Sequence, residues 1–263
     1  MDIADKLPGV GTTIFTVMSR LAVEHGAVNL GQGIPDFQPP PRLVDLVEMH
    51  MRAGLNQYAP MAGDPLLRER IAADHAARHG VAVDPEHEIT VTAGGTEALF
   101  CAIQATVGPG DEVVLLDPAY DSYAPAAVLA GARILRVPLT RPDFQPDWEA
   151  LSAALSPRTR LLVVNNPNNP TGQVLDRASL DRLAALLEPT RAWLLADEVY
   201  ERLTFDGRRH ATALAHPGLR PRCFAVYSFG KVFDATGWKV GYCIAPPQAT
   251  REFRKVHQFV TFA

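Results

Sequence analysis

Residues 228 to 242 read SFGKVFDATGWKVGY and hold two of the chain's four lysines, which are Lys6, Lys231, Lys239 and Lys255. Arginine supplies most of the 25 basic residues. It stays protonated in proteins, whereas a lysine amine can lose its proton and act as a nucleophile or base. A chain that spends lysine so sparingly and uses it twice in fifteen residues directs attention to amine chemistry there. Ser228 stands three residues before Lys231 and adds a hydroxyl to the same stretch.

Three readings of Lys231 follow from this segment alone. It is a reactive amine, a plain surface charge, or the lysine of an S-x-x-K pair that activates Ser228, as in serine-nucleophile β-lactamases and penicillin-binding enzymes. The S-D-N and K-T-G triplets that complete the last kind of site are absent from the chain. TAGGTEAL (92 to 99) reads as a strand end, two glycines and a helix start. Its backbone N–H groups and the Thr96 hydroxyl suit a phosphate, or they form an ordinary glycine turn with a threonine cap. The GVG at 9 to 11 has no strand before it and no third spaced glycine. Asp197, in LLADEVYE (194 to 201), ends an apolar run, where a carboxylate needs a cation or a donor or else serves as a helix cap. NNPNNPTG (165 to 172) is a proline-stiffened turn rich in amide donors, or only a loop.

His75 and His79 lie one helical turn apart, a spacing that suits metal binding. No third ligand completes a recognisable motif, so they are read as a solvated helix face. Cys101, Cys223 and Cys243 are odd in number and set among apolar residues. They are expected to be buried free thiols with neither disulfide nor metal knuckle.

The elements that must position these groups are visible in the apolar pattern. Short runs rich in Val, Ile and Leu alternate with stretches of helical period, which argues for an α/β sheet with helices on its faces. Seven strands are expected at 88–92, 112–116, 132–137, 160–165, 193–197, 222–228 and 239–245. Helices are expected at 96–107, 121–130, 176–187 and about 247–262, with one amphipathic helix at about 42–54 in an N-terminal arm. The candidate groups fall just after strand ends, where open α/β sheets bind ligands. Gly95 and Thr96 follow the first strand, Tyr120 the second, Asn169 the fourth, Tyr200 the fifth, and Ser228 and Lys231 the sixth.

The 263 residues suffice for a sizeable core. A net charge of -4 and a pI of about 6.1 supply no basic face for nucleic acid, so a small-molecule partner is expected. The opening MDIADKLPGVGTTIF shows no basic segment followed by an apolar one, and no run approaches the ~20 apolar residues of a membrane span. A cytoplasmic location is expected.

In the order TAGGTEAL, DPAYDSY, NNPNNPTG, ADEVYE and SFGKVFDATGWKVGY, the motifs resemble the pyridoxal-phosphate-dependent aminotransferases of fold type I, class I/II. NLGQGIPDF (29 to 37) and NQYAPMAG (56 to 63) bring the resemblance nearest to the methionine and kynurenine (glutamine) transaminase branch. It runs from about residue 12 to the last residue. The implied fold is a mainly parallel seven-stranded sheet with helices on both faces. Residues 1–55 would be an arm and part of a small domain, and 56–263 the large cofactor-binding domain. The chain would stop about two-thirds of the way through a usual member, before the remaining small domain and the arginine that clamps the substrate carboxylate.

The resemblance also implies roles for residues. Lys231 would be the Schiff-base lysine and proton carrier, and Lys239 the phosphate's counter-charge, with Gly95, Thr96 and Ser228 as further phosphate donors. Asp197 would hold the pyridine nitrogen protonated, Asn169 and Tyr200 would donate to the ring hydroxyl, and Tyr120 would stack on the ring. Tyr58 would reach the phosphate of a neighbouring subunit in a homodimer. Gly33 and Ile34 would lie on the substrate side. The implied reaction is ping-pong transamination of methionine or an aromatic, kynurenine-like amino acid with a 2-oxo acid. A non-catalytic module that only binds the cofactor, and a Ser228–Lys231 hydrolase, stand as alternatives.

Overall fold

Strands buried on both faces must be apolar at every position rather than at alternate ones. EVVLLD and TRLLVVN meet that condition, and their alternate residues feed two cores. The computed structural model describes residues 3–261. In chain order the elements are α1 Ile14–Glu24, α2 Pro41–Arg52, α3 Pro65–His79, β1 Ile89–Thr92, α4 Gly94–Thr106, β2 Glu112–Asp117, α5 Tyr123–Leu129, β3 Arg133–Thr140, β4 Gln145–Pro146, α6 Trp148–Ala154, β5 Thr159–Asn165, α7 Arg177–Leu187, β6 Trp193–Asp197, β7 Cys223–Ser228, α8 Phe229–Val232, β8 Gly241–Ile244 and α9 Pro247–Val260.

The strands form one sheet in the order β1-β8-β7-β6-β5-β2-β3-β4. β3, β2, β5, β6 and β7 run parallel, β8 is antiparallel to both β7 and β1, and β4 is antiparallel to β3. Val113, Leu115, Leu161, Val163 and Leu195 pack with α4, α5 and α9 on one face. Val114, Leu116, Leu162, Val164 and Leu194 pack with α3, α6 and α7 on the other. The α/β architecture with helices on both faces is therefore the one the sequence pattern implies.

Three expectations need correction. The described residues carry eight strands rather than seven, because the turn after Thr140 returns the chain for two residues as β4; a pair so short leaves no alternation to read. β8 begins at Gly241, and Lys239 lies outside it in a left-handed turn with φ of 56°. Helices α1, α3, α6 and the one-turn α8 join those read from the pattern. Phe262, the end of the last expected helix, lies outside the described residues. The three cysteines are buried free thiols, and among the described residues no helix is long and apolar enough to cross a membrane.

The third correction concerns His75 and His79, which do not lie on a solvated face. Asp64 caps α3 by accepting from Leu67 N–H, and Gly80 closes it at φ 66°. The helix so fixed turns Arg68, Ile71 and His75 inward. His75 has no exposed surface; its Nε2 lies 3.1 Å from the Tyr242 hydroxyl and its ring packs edge-on against Tyr227. His79 lies 3.4 Å from Glu201, which Arg78 also grips through both oxygens at 2.9 Å. Polar partners from β8 and from the loop after β6 make an inward polar face possible, and helical period alone does not reveal them.

Burial lowers the His75 pKa from 6.5 to about 4; the Glu201 and Glu198 charges oppose the fall while His79 and Arg78 deepen it. The folded group therefore resists protonation that the unfolded group accepts. Its contribution to stability is intact above pH 6.5 and is lost as the pH falls from 6.5 to about 4, a loss of about 3 kcal/mol. Denaturant unfolding of His75→Gln at pH 7 and pH 4.5 is expected to show a smaller acid loss than the unaltered chain. An identical loss in the two proteins would refute the assignment.

Candidate active site

The sheet register aligns the ends of four strands. Thr92 and Ser228 both pair with Gly241, Asp197 pairs with Val226, and Asn165 pairs with Asp197. Groups that follow these positions meet over a cleft of about 910 Å³. Gly33, Gly95, Thr96, Tyr120, Asn169, Asp197, Tyr200, Ser228, Lys231 and Lys239 all line it. Ile34 and Tyr58 do not; these residues are 63% and 82% exposed.

One end of the cleft is built for an anion. Helix α4 opens there at Gly94 and Gly95, and the N–H groups of a helix's first turn have no intrahelical acceptor. Gly94 has a φ of +80°, which calls for glycine, and a Cβ at Gly95 would crowd Val199 Cγ1 at 3.0 Å. Gly241 closes the approach from below. A Cβ there would meet the Tyr227 carbonyl oxygen at 2.7 Å and backbone atoms of Gly94 and Gly95 at 2.8 Å. The left-handed turn at Lys239 brings its ammonium beside Gly94, where a Cβ added to the glycine would lie 3.2 Å from Nζ. Thr96 and Ser228 complete the set of donors, and the Ser228 side chain is not engaged in capping α8.

The middle of the cleft holds a buried acid. Asp197 is 2% exposed at the end of β6. Its Oδ2 accepts a hydrogen bond of 2.5 Å from the Tyr123 hydroxyl, and its Oδ1 accepts one of 3.3 Å from Val199 N–H. Burial pushes its pKa up to about 6; the two donors and Lys231 restrain that rise, and the neighbouring Glu198 charge adds to it. Glu198 points to the opposite side of the strand. Burial works to raise its pKa too, but His210 at 3.0 Å, Ala213 N–H and the Tyr227 hydroxyl hold it below the usual range.

Lys231 lies across from Asp197 with Nζ 5.4 Å from the centre of the Tyr200 ring. Burial lowers its pKa, the Lys239 charge lowers it further, and Asp197 opposes both. The amine is thus easier to deprotonate than a surface lysine. Asn169 Nδ2 donates to the Tyr200 hydroxyl at 3.4 Å, and the Asn169 backbone N–H is held by Asn165 Oδ1. Asn165 in turn donates to the Asp197 carbonyl at 2.9 Å, so the turn and the end of β6 form one unit. Tyr120 stands edge-on to Tyr123, with ring centres 5.6 Å apart.

This arrangement fits a phosphorylated pyridine aldehyde. It presents a glycine-lined helix end with a lysine for the phosphate, a buried carboxylate for a ring N–H, hydroxyl and amide donors at one side, and an amine of lowered pKa for the aldehyde. Sequence reasoning missed Tyr123, Asn165 and Gly241. Tyr123 lies inside DPAYDSY and Asn165 opens NNPNNPTG, so their motifs were in view although their partners were not. Nothing local marks Gly241, since its need for glycine comes from backbone across the sheet.

A family model described as aminotransferase class I and II matches residues 25–263. Methionine aminotransferase of Escherichia coli (strain K12) is 50% identical over 258 residues, which cover 98% of this chain and 67% of that protein. Probable N-succinyldiaminopimelate aminotransferase DapC of Mycobacterium tuberculosis (strain CDC 1551 / Oshkosh) is 41% identical over 260 residues, covering 98% and 65%. The crystal structure of Escherichia coli YbdL, described with a methionine aminotransferase function, superposes with a TM-score of 0.96 at 48% identity over 100% of this chain and 68% of that one. The chain spans about two thirds of the length of these relatives.

The Tyr123 bond favours the ionised form of Asp197, so its removal is expected to raise the Asp197 pKa above 6. Carboxyl ¹³C NMR of Tyr123→Phe should place the midpoint about one unit higher than in the unaltered protein. An unmoved midpoint would show that the hydroxyl does not hold this charge.

Proposed function

Because the chain belongs to aminotransferase class I and II, we propose that it exchanges the amino group of an amino acid with a 2-oxo acid, using pyridoxal phosphate held in the cleft. The observation that carries this reading is the pairing of the buried Asp197 carboxylate with the Lys231 amine of lowered pKa across one cleft. When bound, pyridoxal phosphate supplies an aldehyde for the incoming amino group and a ring that takes up the electrons of a breaking C–H bond.

The chain's own residues supply the rest. The α4 amino end, Thr96, Ser228 and Lys239 would bind the phosphate. Asp197 would accept from the ring N–H and keep that nitrogen protonated, while Tyr123 and Val199 hold the carboxylate in place. Asn169 and Tyr200 would donate to the ring hydroxyl oxygen, and Tyr120 would stack on the ring. Lys231 Nζ would hold the cofactor at its aldehyde and, once a substrate amine takes that place, would carry the substrate's α-proton. Both its nucleophilic and its basic roles need a neutral amine, which burial and Lys239 favour. Two half-reactions that share these groups give ping-pong kinetics.

The cleft lining includes the apolar Phe15, Leu30, Leu203 and Phe205 together with Gly33 and the polar Gln32, Asp206 and Arg208. The apolar members support methionine or an aromatic, kynurenine-like amino acid as donor, in keeping with the similarity to a methionine aminotransferase. The highly exposed Tyr58 suits a contact with the phosphate site of a second copy, and we extend the proposal to a homodimer with residues 1–55 as an arm.

Lys231→Ala is expected to abolish both turnover and the visible absorbance of the lysine-linked cofactor, while phosphate binding persists. A variant that retained turnover would overturn the assignment, and acylation of Ser228 with no cofactor absorbance would favour the hydrolase reading instead. In a panel of donors assayed with one 2-oxo acid, methionine and aromatic amino acids should exceed aspartate at least about tenfold in kcat/KM, the low end of what a hydrophobic pocket discriminates. A preference for aspartate would overturn the substrate class.

A further inference from the structure

Three side chains outside the cleft converge beneath the first turn of α4. Glu97 Oε2 accepts from Ala93 N–H at 3.1 Å. Glu97 Oε1 accepts from the Cys101 thiol at 2.8 Å and lies 2.9 Å from His257 Nδ1. His257 Nε2 is 2.8 Å from the Met61 carbonyl oxygen. His257 has no exposed surface, and the Glu97 side chain is only 9% exposed.

The protons can be counted. A carbonyl oxygen only accepts, so His257 Nε2 must carry a proton and donate to Met61. Its other nitrogen then faces a carboxylate oxygen that already accepts from a thiol. The 2.9 Å contact is attractive only if one further proton lies between Nδ1 and Oε1. Whichever atom holds that proton, Glu97 and His257 together carry no net charge. Burial opposes the charge on His257, and Glu97 with the Met61 carbonyl outweighs it, so its pKa is raised.

The position of this pair gives it consequence. Glu97 belongs to the first turn of the helix whose amino end forms the anion cradle. An uncompensated carboxylate there would compete with a bound phosphate for the same positive helix end. By taking the Ala93 N–H, Glu97 also fixes the residue that precedes Gly94. His257 comes from α9, whose Phe253 and Ala249 pack on α4 in the same core, so its place is held independently of the cradle.

We propose that His257 is a positioning residue for the anion cradle: it neutralises Glu97 and clamps it on Ala93, leaving the amino end of α4 to an incoming phosphate group. The proposal rests on the cradle reading above and adds a charge control behind it. The other titratable groups around His257 are Cys101 on α4, Arg254 on α9 and Cys243 on β8. Burial pushes both thiols far up, so neither ionises near neutrality, and Arg254 is a fixed cation that disfavours a second positive charge. The titration that matters is therefore that of His257 beside Glu97.

The test is calorimetric binding of inorganic phosphate, and separately of pyridoxal phosphate, to four full chains: unaltered, His257→Gln, Glu97→Gln and the double variant. His257→Gln leaves a buried charge at the cradle and should weaken phosphate binding on the order of tenfold at pH 7. Glu97→Gln should bind at least as well as the unaltered chain, and the double variant should regain its affinity. As the pH rises through the raised His257 pKa the pair becomes negative, so phosphate affinity of the unaltered chain should fall relative to Glu97→Gln. A purely structural role would instead make all three variants bind weakly and move the pH profile in none. Unaltered protein that bound phosphate just as His257→Gln did would overturn this proposal alone. Unaltered protein that bound no phosphate would overturn the cradle reading and this proposal with it. Should His257→Gln fail to fold, the double variant still decides, since weak binding by that neutral pair contradicts the charge argument.

Discussion

A carboxylate buried at the end of a central strand constrains the whole molecule. Asp197 cannot be ionised in an apolar surrounding without donors or a cation, and the chain supplies two donors and one cation from three directions. Tyr123 reaches it from the start of α5, Val199 from the loop beyond β6, and Lys231 faces it from α8. Each donor requires its element to sit at one height along the sheet. The parallel run of β2, β5, β6 and β7 meets that requirement because all four strands deliver their following loops to the same edge. The cleft follows from satisfying one charge.

A second polar layer lies behind the first, on the α3 side of the sheet. Glu198, adjacent to Asp197 in sequence, faces away from the cleft and meets His210, Ala213 N–H and Tyr227. Glu201 is held by Arg78 and His79, and Arg78 also binds Asp74. Two carboxylates on neighbouring residues of one strand end would repel each other through the low dielectric of the core. The division of partners offsets part of this: Glu198 keeps its own cation and donors, and Asp197 is left to the cleft with its pKa still raised by the Glu198 charge. The polar face of α3 is part of the same arrangement, which explains why histidines at helical spacing are buried there.

Much of this was legible before any coordinates. The α/β class follows from apolar runs buried on both faces, and the strand ends follow from the turn residues after them. Lys231 stands out because lysine is scarce in the chain, Asp197 because a carboxylate ends an apolar run, Asn169 because it lies in a proline-stiffened turn rich in amides, and the Gly94–Thr96 turn because two glycines open a helix after a strand. Tyr123 was within a quoted motif but lacked a visible partner, because Asp197 lies 74 residues away. β4 escaped notice because two residues carry no period. Lys239 was read into a strand because apolar residues follow it, whereas the chain there turns left-handed to aim its amine at Gly94.

The sequence by itself determined the alternation of strands and helices, the two-faced core, and the chemical types gathered at the strand ends, because these depend on local period and on what each side chain can bury. Only the tertiary structure decided which polar groups meet. His75 finds Tyr242 across 167 residues and Glu97 finds His257 across 160, with both pairs inside the fold. Helical spacing says that two such residues share a face. Whether that face meets water or a partner depends on strands and helices far along the chain, and so does the charge each residue carries.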